Sequence, residues 1–227
     1  MPSKFTIKEY VVDGYYHVYN RGVEKRTIFA DEKDYTVFLR FLKEYLLPPD
    51  HPDLKKLKDI QMRRSPINCF DDISLLAFSL MPNHFHLFIK QKSEFGLIRF
   101  MKALMTNYVM YFNLRYNRVG PLFQGIYKAV RIDEEPYFLH LSRYLHLNPR
   151  HLLARDEPLH TYSYSSYPYY LGIKKADWLN VNEVLSFFET PKFPHPKGIT
   201  DYQSFVEEYI YDEKEMLAEL TLEEEEE

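Results

Sequence analysis

The stretch ISLLAFSLM-PN-HFHLFIK, Ile73 to Lys90, constrains the architecture more than any other part of the chain. Two apolar runs of strand length flank a Pro-Asn pair, and such a pair between apolar runs reads as a tight turn. The segment is therefore expected to be an antiparallel hairpin. Its second run holds two histidines, His84 and His86, one residue apart. Strand side chains alternate faces. The two imidazoles should project together, while Phe85 and Leu87 enter a core on the other face.

The flanking segments supply the rest of a small sheet. YYHVYNRG, Tyr15 to Gly22, is aromatic and β-branched, ends in glycine, and reads as a strand. Asp31 is placed to cap a helix through DYTVFLRFLKEYLL, which PPDHP then breaks. Residues 49–68 are polar, basic and proline-bearing, and read as an inserted excursion. From Phe95 to Arg118 the period is helical, with Leu97, Met101, Leu104, Tyr108 and Tyr111 on one stripe. VGPLFQG is a turn-rich link and IYKAVRI a short strand. EEPYFLHLSRYLHL has acids in its first turn and stops near Asn148-Pro149, as a helix would. The order β-α-β-β-α-β-α predicts an α+β domain with a ferredoxin-like (RRM-like) antiparallel sheet and helices on one face. Residues 1–151 are expected to form that domain. Residues 152–227 are expected to form a C-terminal extension, with helical stretches at 181–189 and 201–220 and a disordered acidic run at Glu223–Glu227.

Charge is unevenly distributed. The whole chain carries −4, but residues 201–227 hold twelve acids and one lysine, so the first 200 residues carry +7. Lys90 to Arg131 contains eight Lys/Arg and one acid, Glu94. A basic body with an acidic tail suits a nucleic-acid binder, although an ordinary solvated surface gives the same count. The aromatic content of 17% allows stacking on bases as well as core packing. A single cysteine, Cys69, excludes an internal disulfide framework and a cysteine-rich zinc site. No stretch reaches the length of a membrane span and MPSKFTIKEY has no apolar leader core, so a soluble cytoplasmic protein is expected.

Two adjacent imidazoles are a ready pair of metal ligands, though a His-x-His pair alone is a weak motif and also describes two polar residues at the mouth of a hairpin. In RYLHLNPRH, Tyr144 and Asn148 are spaced i, i+4 and share a helix face. The Asn carbonyl suits a hard divalent cation. The Tyr phenol is able to attack a phosphodiester. In a chain with 20 tyrosines, packing is the ordinary alternative for any one of them.

Together these pieces resemble a known family. YHVYNRGVEKRTIF, MPNHFHLFIK, YFNLRYNRVGPLFQGIYKA and LSRYLHLNPRH, spanning Tyr16 to His151, look like the single-tyrosine HUH transposases. The nearer branch is the REP-associated tyrosine transposases, relatives of the insertion-sequence transposases that move as single-stranded DNA. YSYSSYPYYLGIKKADWLNVNEVLSFF resembles the C-terminal extension of that branch. The resemblance implies that His84, His86 and Asn148 bind Mg²⁺ or Mn²⁺. Asn148 stands where the insertion-sequence branch usually has Gln. The resemblance makes Tyr144 the nucleophile that forms a 5′-phosphotyrosine link. No nucleotide cofactor is implied, and the chain has no Walker-type glycine loop. The implied partner is single-stranded or hairpin DNA, handled by a monomer or homodimer. Arg21, Arg115, Arg118 and Lys128 are candidates for phosphate contacts, with a solvated surface as the alternative for each. Ile126 departs from the pattern, standing where an Arg is often seen, and the 49–68 insert and acidic tail are not core family features. Two other readings stay open: a non-catalytic protein for structured nucleic acid, and a metal-dependent nuclease using water.

Overall fold

A computed structural model of the chain describes residues 10–57, 67–189 and 201–208. Strand β1 (Tyr15–Arg21) leads into helix α1 (Glu32–Leu46) and a short helix α2 (Pro52–Leu57). The hairpin is β2 (Ile73–Met81) and β3 (His84–Gln91), with Pro82 and Asn83 as its turn. Then come α3 (Gly96–Arg115), β4 (Lys128–Ile132) and α4 (Glu135–Leu147). The strands form one sheet in the order β2-β3-β1-β4, every neighbouring pair antiparallel. Inserting β3 between β1 and β2 gives the split βαβ arrangement of the ferredoxin-like fold, as the order of elements predicts.

The Asp31 side chain caps α1 as expected, accepting from the backbone N–H of Lys33 and Asp34. Phe38, Phe41, Leu42 and Tyr45 then fall on the buried stripe of α1. Helices α1 and α3 share one face of the sheet, against Tyr16, Val18, Phe85, Leu87 and Ile89. Each of these fully buried apolar side chains stabilises the fold by about 1.5–3 kcal/mol. The other face carries α4, whose Phe138, Leu139, Leu141 and Leu145 pack with Phe88 and Ile132. β3 is therefore covered on both sides and is buried from His84 to Ile89.

Start of α1 and end of α3 are clamped by one buried carboxylate. Asp34 accepts from Arg115 Nη1 (2.6 Å), Tyr111 OH (2.8 Å), Tyr116 OH (2.8 Å) and the Ala30 N–H (2.8 Å).

Among the described residues, the helical C-terminal region contains α5 (Tyr167–Tyr170), α6 (Asn182–Glu189) and α7 (Tyr202–Glu207). It runs first along the outer edge of β2, where Leu80 N–H donates to Tyr164 O and Ser166 N–H to Phe78 O, both at 2.9 Å. That contact covers the unpaired edge of the strand. Tyr167, Tyr170, Val184, Tyr202 and Phe205 then join the α4 core. Among them His146 is a polar node: Nε2 is 2.6 Å from Ser166 Oγ and Nδ1 is 2.7 Å from Tyr202 OH. Burial pushes its pKa down to about 3, which keeps the ring neutral.

Sequence pattern and structure differ in two places. The pattern puts the helices on one face of the sheet, but α4 covers the opposite face from α1 and α3, because Phe88 and Ile132 give that face its own apolar surface. The second difference is the insert. The 49–68 excursion contains α2, a helix its Pro-rich, polar composition does not announce. Residues 58–66 of it lie outside the described residues, as do the 201–220 stretch beyond 208 and the acidic run Glu223–Glu227. Among the described residues no helix is long and apolar enough to cross a membrane.

Replacing Asp34 by Ala removes the acceptor of Tyr111, Tyr116 and the Ala30 N–H while Arg115 keeps Asp31, and should destabilise the fold by about 1–3 kcal/mol. Urea unfolding reads this directly, and an unchanged midpoint contradicts the clamp. The depressed pKa of His146 predicts acid sensitivity. As pH falls below about 6.5 the unfolded chain takes up a proton that the folded chain refuses until about 3. Its contribution is complete above that window and is lost through it, at a slope of up to about 1.4 kcal/mol per pH unit. The His146→Gln variant should lose one proton's share of that slope in unfolding measured from pH 7 to 4; equal slopes would clear His146 of the role.

Candidate active site

His84 opens β3 directly after the turn, and the turn is held in place by the chain that follows β1. Gly22 N–H donates to Asn83 O (2.8 Å), while Ile28 and Phe29 N–H donate to Pro82 O (2.8 and 3.0 Å). The segment after β1 folds back tightly on itself here, so that a Cβ on Gly22 would collide with the Arg26 carbonyl oxygen.

The imidazoles are oriented through their Nδ1 atoms. His84 Nδ1 lies 2.6 Å from Asn83 Oδ1, and the same Asn83 amide donates through Nδ2 to Lys25 O (3.3 Å). An amide oxygen only accepts, so His84 carries a proton on Nδ1. In the neutral ring Nε2 then presents a lone pair, and it faces Asn148 Oδ1 at 3.3 Å. Two acceptors at that distance repel unless a proton or a metal cation joins them. His86 is fully buried, with Nδ1 2.8 Å from His17 Nε2. The Tyr19 ring stacks on both, with centroids 4.7 Å from His17 and 5.7 Å from His86.

α4 brings the remaining groups. Tyr144, half-buried, presents its ring at 5.5 Å from His86 and 6.1 Å from His17. Asn148 follows one turn later and donates its N–H to Tyr144 O. The spacings read from the sequence thus converge: His84 and His86 on one strand face, Tyr144 and Asn148 on the helix above it.

Two imidazole nitrogens and one amide oxygen are a donor set for a divalent ion of mixed nitrogen and oxygen preference. Two ligands about 2.1 Å from a common Mg²⁺ at right angles stand about 3 Å apart, close to the 3.3 Å between His84 Nε2 and Asn148 Oδ1. Among the described residues no cluster of three His, Cys, Asp or Glu side chains is placed to hold a metal. A site here therefore requires the Asn148 amide beside the two imidazoles.

The basic candidates separate. Arg21 pairs directly across from His84, and Lys128 sits opposite Tyr19 with Nζ 5.8 Å from that ring, so both lie at the site. Arg115 and Arg118 lie at the far end of α3, on the other face of the sheet. Arg115 is engaged by Asp31 and Asp34, and Arg118 by Asn113 Oδ1 and the Phe112 ring. Of the eight basic residues between Lys90 and Arg131, four are ion-paired within the chain, Lys90, Arg99, Arg115 and Arg131. The charge run is thus as much scaffold as surface. Tyr108 and Tyr111 also belong to the α3 side, donating to Ile28 O and Asp34, with their pKa values raised chiefly by burial.

His17, Tyr19 and Asn83 escaped the reading of the motifs. The period-2 pattern of YYHVYNR does place Tyr15, His17, Tyr19 and Arg21 on one face. Which strand that face would meet is a matter of pairing, which the pattern does not encode.

Residues 57–148 match the family described as Transposase IS200 like, a span that includes His84, His86, Tyr144 and Asn148. Seven chains among the solved structures match as well. One is a REP-associated tyrosine transposase bound to a REP hairpin, with a TM-score of 0.50 at 13% identity over 78% of this chain and 92% of that one. At this identity the likeness is one of fold. No curated protein matches. The family resemblance carried by the sequence motifs is borne out.

Proposed function

We propose that this chain, with an IS200-like transposase pattern across 57–148, cleaves and rejoins single-stranded DNA at hairpin-forming elements, through a phosphotyrosine intermediate. The observation that carries the proposal is the meeting of His84 with Asn148 at 3.3 Å, beside His86 and within reach of the Tyr144 ring.

In this reading His84, His86 and Asn148 hold one Mg²⁺ or Mn²⁺, which when bound supplies Lewis-acid stabilisation of charge on the scissile phosphate oxygens. His84 and His86 would hold the ion through Nε2, since their Nδ1 atoms face Asn83 and His17. The Tyr144 oxygen attacks phosphorus, and the bond to the 3′ oxygen breaks. The phenolic proton leaves the nucleophile and the departing strand ends as a 3′-hydroxyl. The 5′ phosphate stays esterified to Tyr144. Attack by a 3′-hydroxyl reverses the step, rejoins DNA and frees Tyr144, so bond energy is conserved without a nucleotide. A phenol of ordinary pKa, about 10, is protonated at neutral pH, so its activation depends on its neighbours at the site. Hairpin DNA as substrate rests on the solved neighbour's ligand. The basic residues at the site, Arg21 and Lys128, suit the DNA backbone.

Tyr144→Phe removes one hydroxyl and should leave hairpin binding intact. With end-labelled hairpin DNA and Mn²⁺, wild type should give a protein–DNA band that survives denaturing electrophoresis, and the variant should give none. A surviving band in the variant moves the nucleophile elsewhere; cleavage by wild type without any such band favours water as the attacking group. Lys128→Ala should weaken hairpin binding and reduce the slope of log affinity against log salt by about 1. An unchanged slope removes Lys128 from the DNA contact.

A further inference from the structure

The contact between His17 Nε2 and His86 Nδ1, at 2.8 Å and fully buried, joins two imidazoles whose protons have only two neutral arrangements. If His17 donates, His86 has its proton on Nε2 and that nitrogen has no lone pair to offer. If His86 donates from Nδ1, its Nε2 carries the lone pair and His17 carries its own proton on Nδ1. Only the second arrangement makes His86 a ligand through Nε2.

We infer that His17 is the positioning residue of the metal site, an acceptor that fixes both the ring orientation of His86 and the tautomer able to coordinate. The inference rests on the proposed metal reading of His84, His86 and Asn148 and adds to it a residue on a different strand. Geometry supports it in three ways. The two rings are nearly parallel, with centroids 5.0 Å apart and planes at 21°, so the contact is in-plane only through a narrow range of ring rotations. Tyr19 stacks against both rings and restricts them further. His84 has the equivalent arrangement, with Asn83 Oδ1 accepting at Nδ1. Both histidines are thus anchored by an acceptor at Nδ1, one local in sequence and one 69 residues away. Partners of this kind orient metal-bound histidine and raise its basicity.

The test is Mn²⁺ affinity, read by electron paramagnetic resonance of the free ion, for wild type, His84→Ala, His17→Phe and His17→Gln. Hairpin binding in EDTA and a cooperative thermal melt report folding independently. His17→Phe keeps an aromatic ring against Tyr19 but removes the acceptor, and should weaken Mn²⁺ binding by about 10- to 100-fold. His17→Gln places an amide oxygen near the position of Nε2 and should stay within about tenfold of wild type. Wild-type affinity in a folded His17→Phe overturns the inference, as does a folded His17→Gln as weak as His17→Phe. Should His17→Phe fail to fold, the Gln variant decides by the same limit. If wild type binds no Mn²⁺, the metal reading falls and takes the inference with it; if His84→Ala abolishes binding and His17→Phe does not change it, only the inference falls.

Discussion

A buried hydrogen-bonded node at His146 holds together the two layers that make the site. Tyr144 and Asn148 belong to a helix with no strand partner, so their position depends on what presses α4 onto the sheet. Leu141 and Leu145 supply the area, but apolar contact is tolerant of small slides. His146 is not: Ser166 on one side is itself bonded to the Phe78 backbone of β2, and Tyr202 on the other reaches Ser142 on α4. A helix slide of one residue would break both bonds in a place where an unmet polar group costs about 1–3 kcal/mol. The C-terminal region, remote in sequence from the histidines, thereby sets where the phenol stands.

Local chemistry and strand order were legible in the sequence, and the residue-by-residue register between β1 and β3 was not. The Pro-Asn turn, the i, i+2 histidines, the Asp31 cap and the i, i+4 Tyr144–Asn148 pair are each fixed by residues a few positions apart, and each stands as read. Asn83 was in plain view between Pro82 and His84, but its role depends on a rotamer. His17 was invisible for a different reason. Its partner is 69 residues away, and the register that brings β1 beside β3 follows from packing of both faces, since a one-residue slip would move Tyr16 and Val18 out of the core.

The basic run shows the same divide. Composition cannot separate a lysine facing a ligand from an arginine facing a carboxylate on the next helix. Arg115 is the clearest case. Its partners Asp31 and Asp34 cap and begin α1, and they are met only after α1 and α3 pack side by side. Lys92, Lys102, Arg118 and Lys128 have no acidic partner within reach among the described residues, and of these Lys128 is the one on the strand beside Tyr19. Within the stretch of 42 residues, 90–131, four of the eight basic side chains are thus committed to carboxylates, and charge alone leaves the other four as candidates for a nucleic-acid contact.

His17, His84 and His86, all at most 9% exposed, run against the stability logic of the surrounding core. Apolar side chains of similar volume on the same strand face would pack against α4 without needing partners, and burying polar groups generally gains less than burying apolar ones. The fold instead sets a polar partner against Nδ1 of two of the rings and directs an amide oxygen at the Nε2 of His84. With the His84 proton on Nδ1 that last contact sets two acceptors face to face, an arrangement that the proposed cation would relieve. A strand face built this way is weaker as scaffold than its neighbours Phe85 and Leu87 on the opposite side. That cost to the fold is what the proposed chemical role of these histidines would account for.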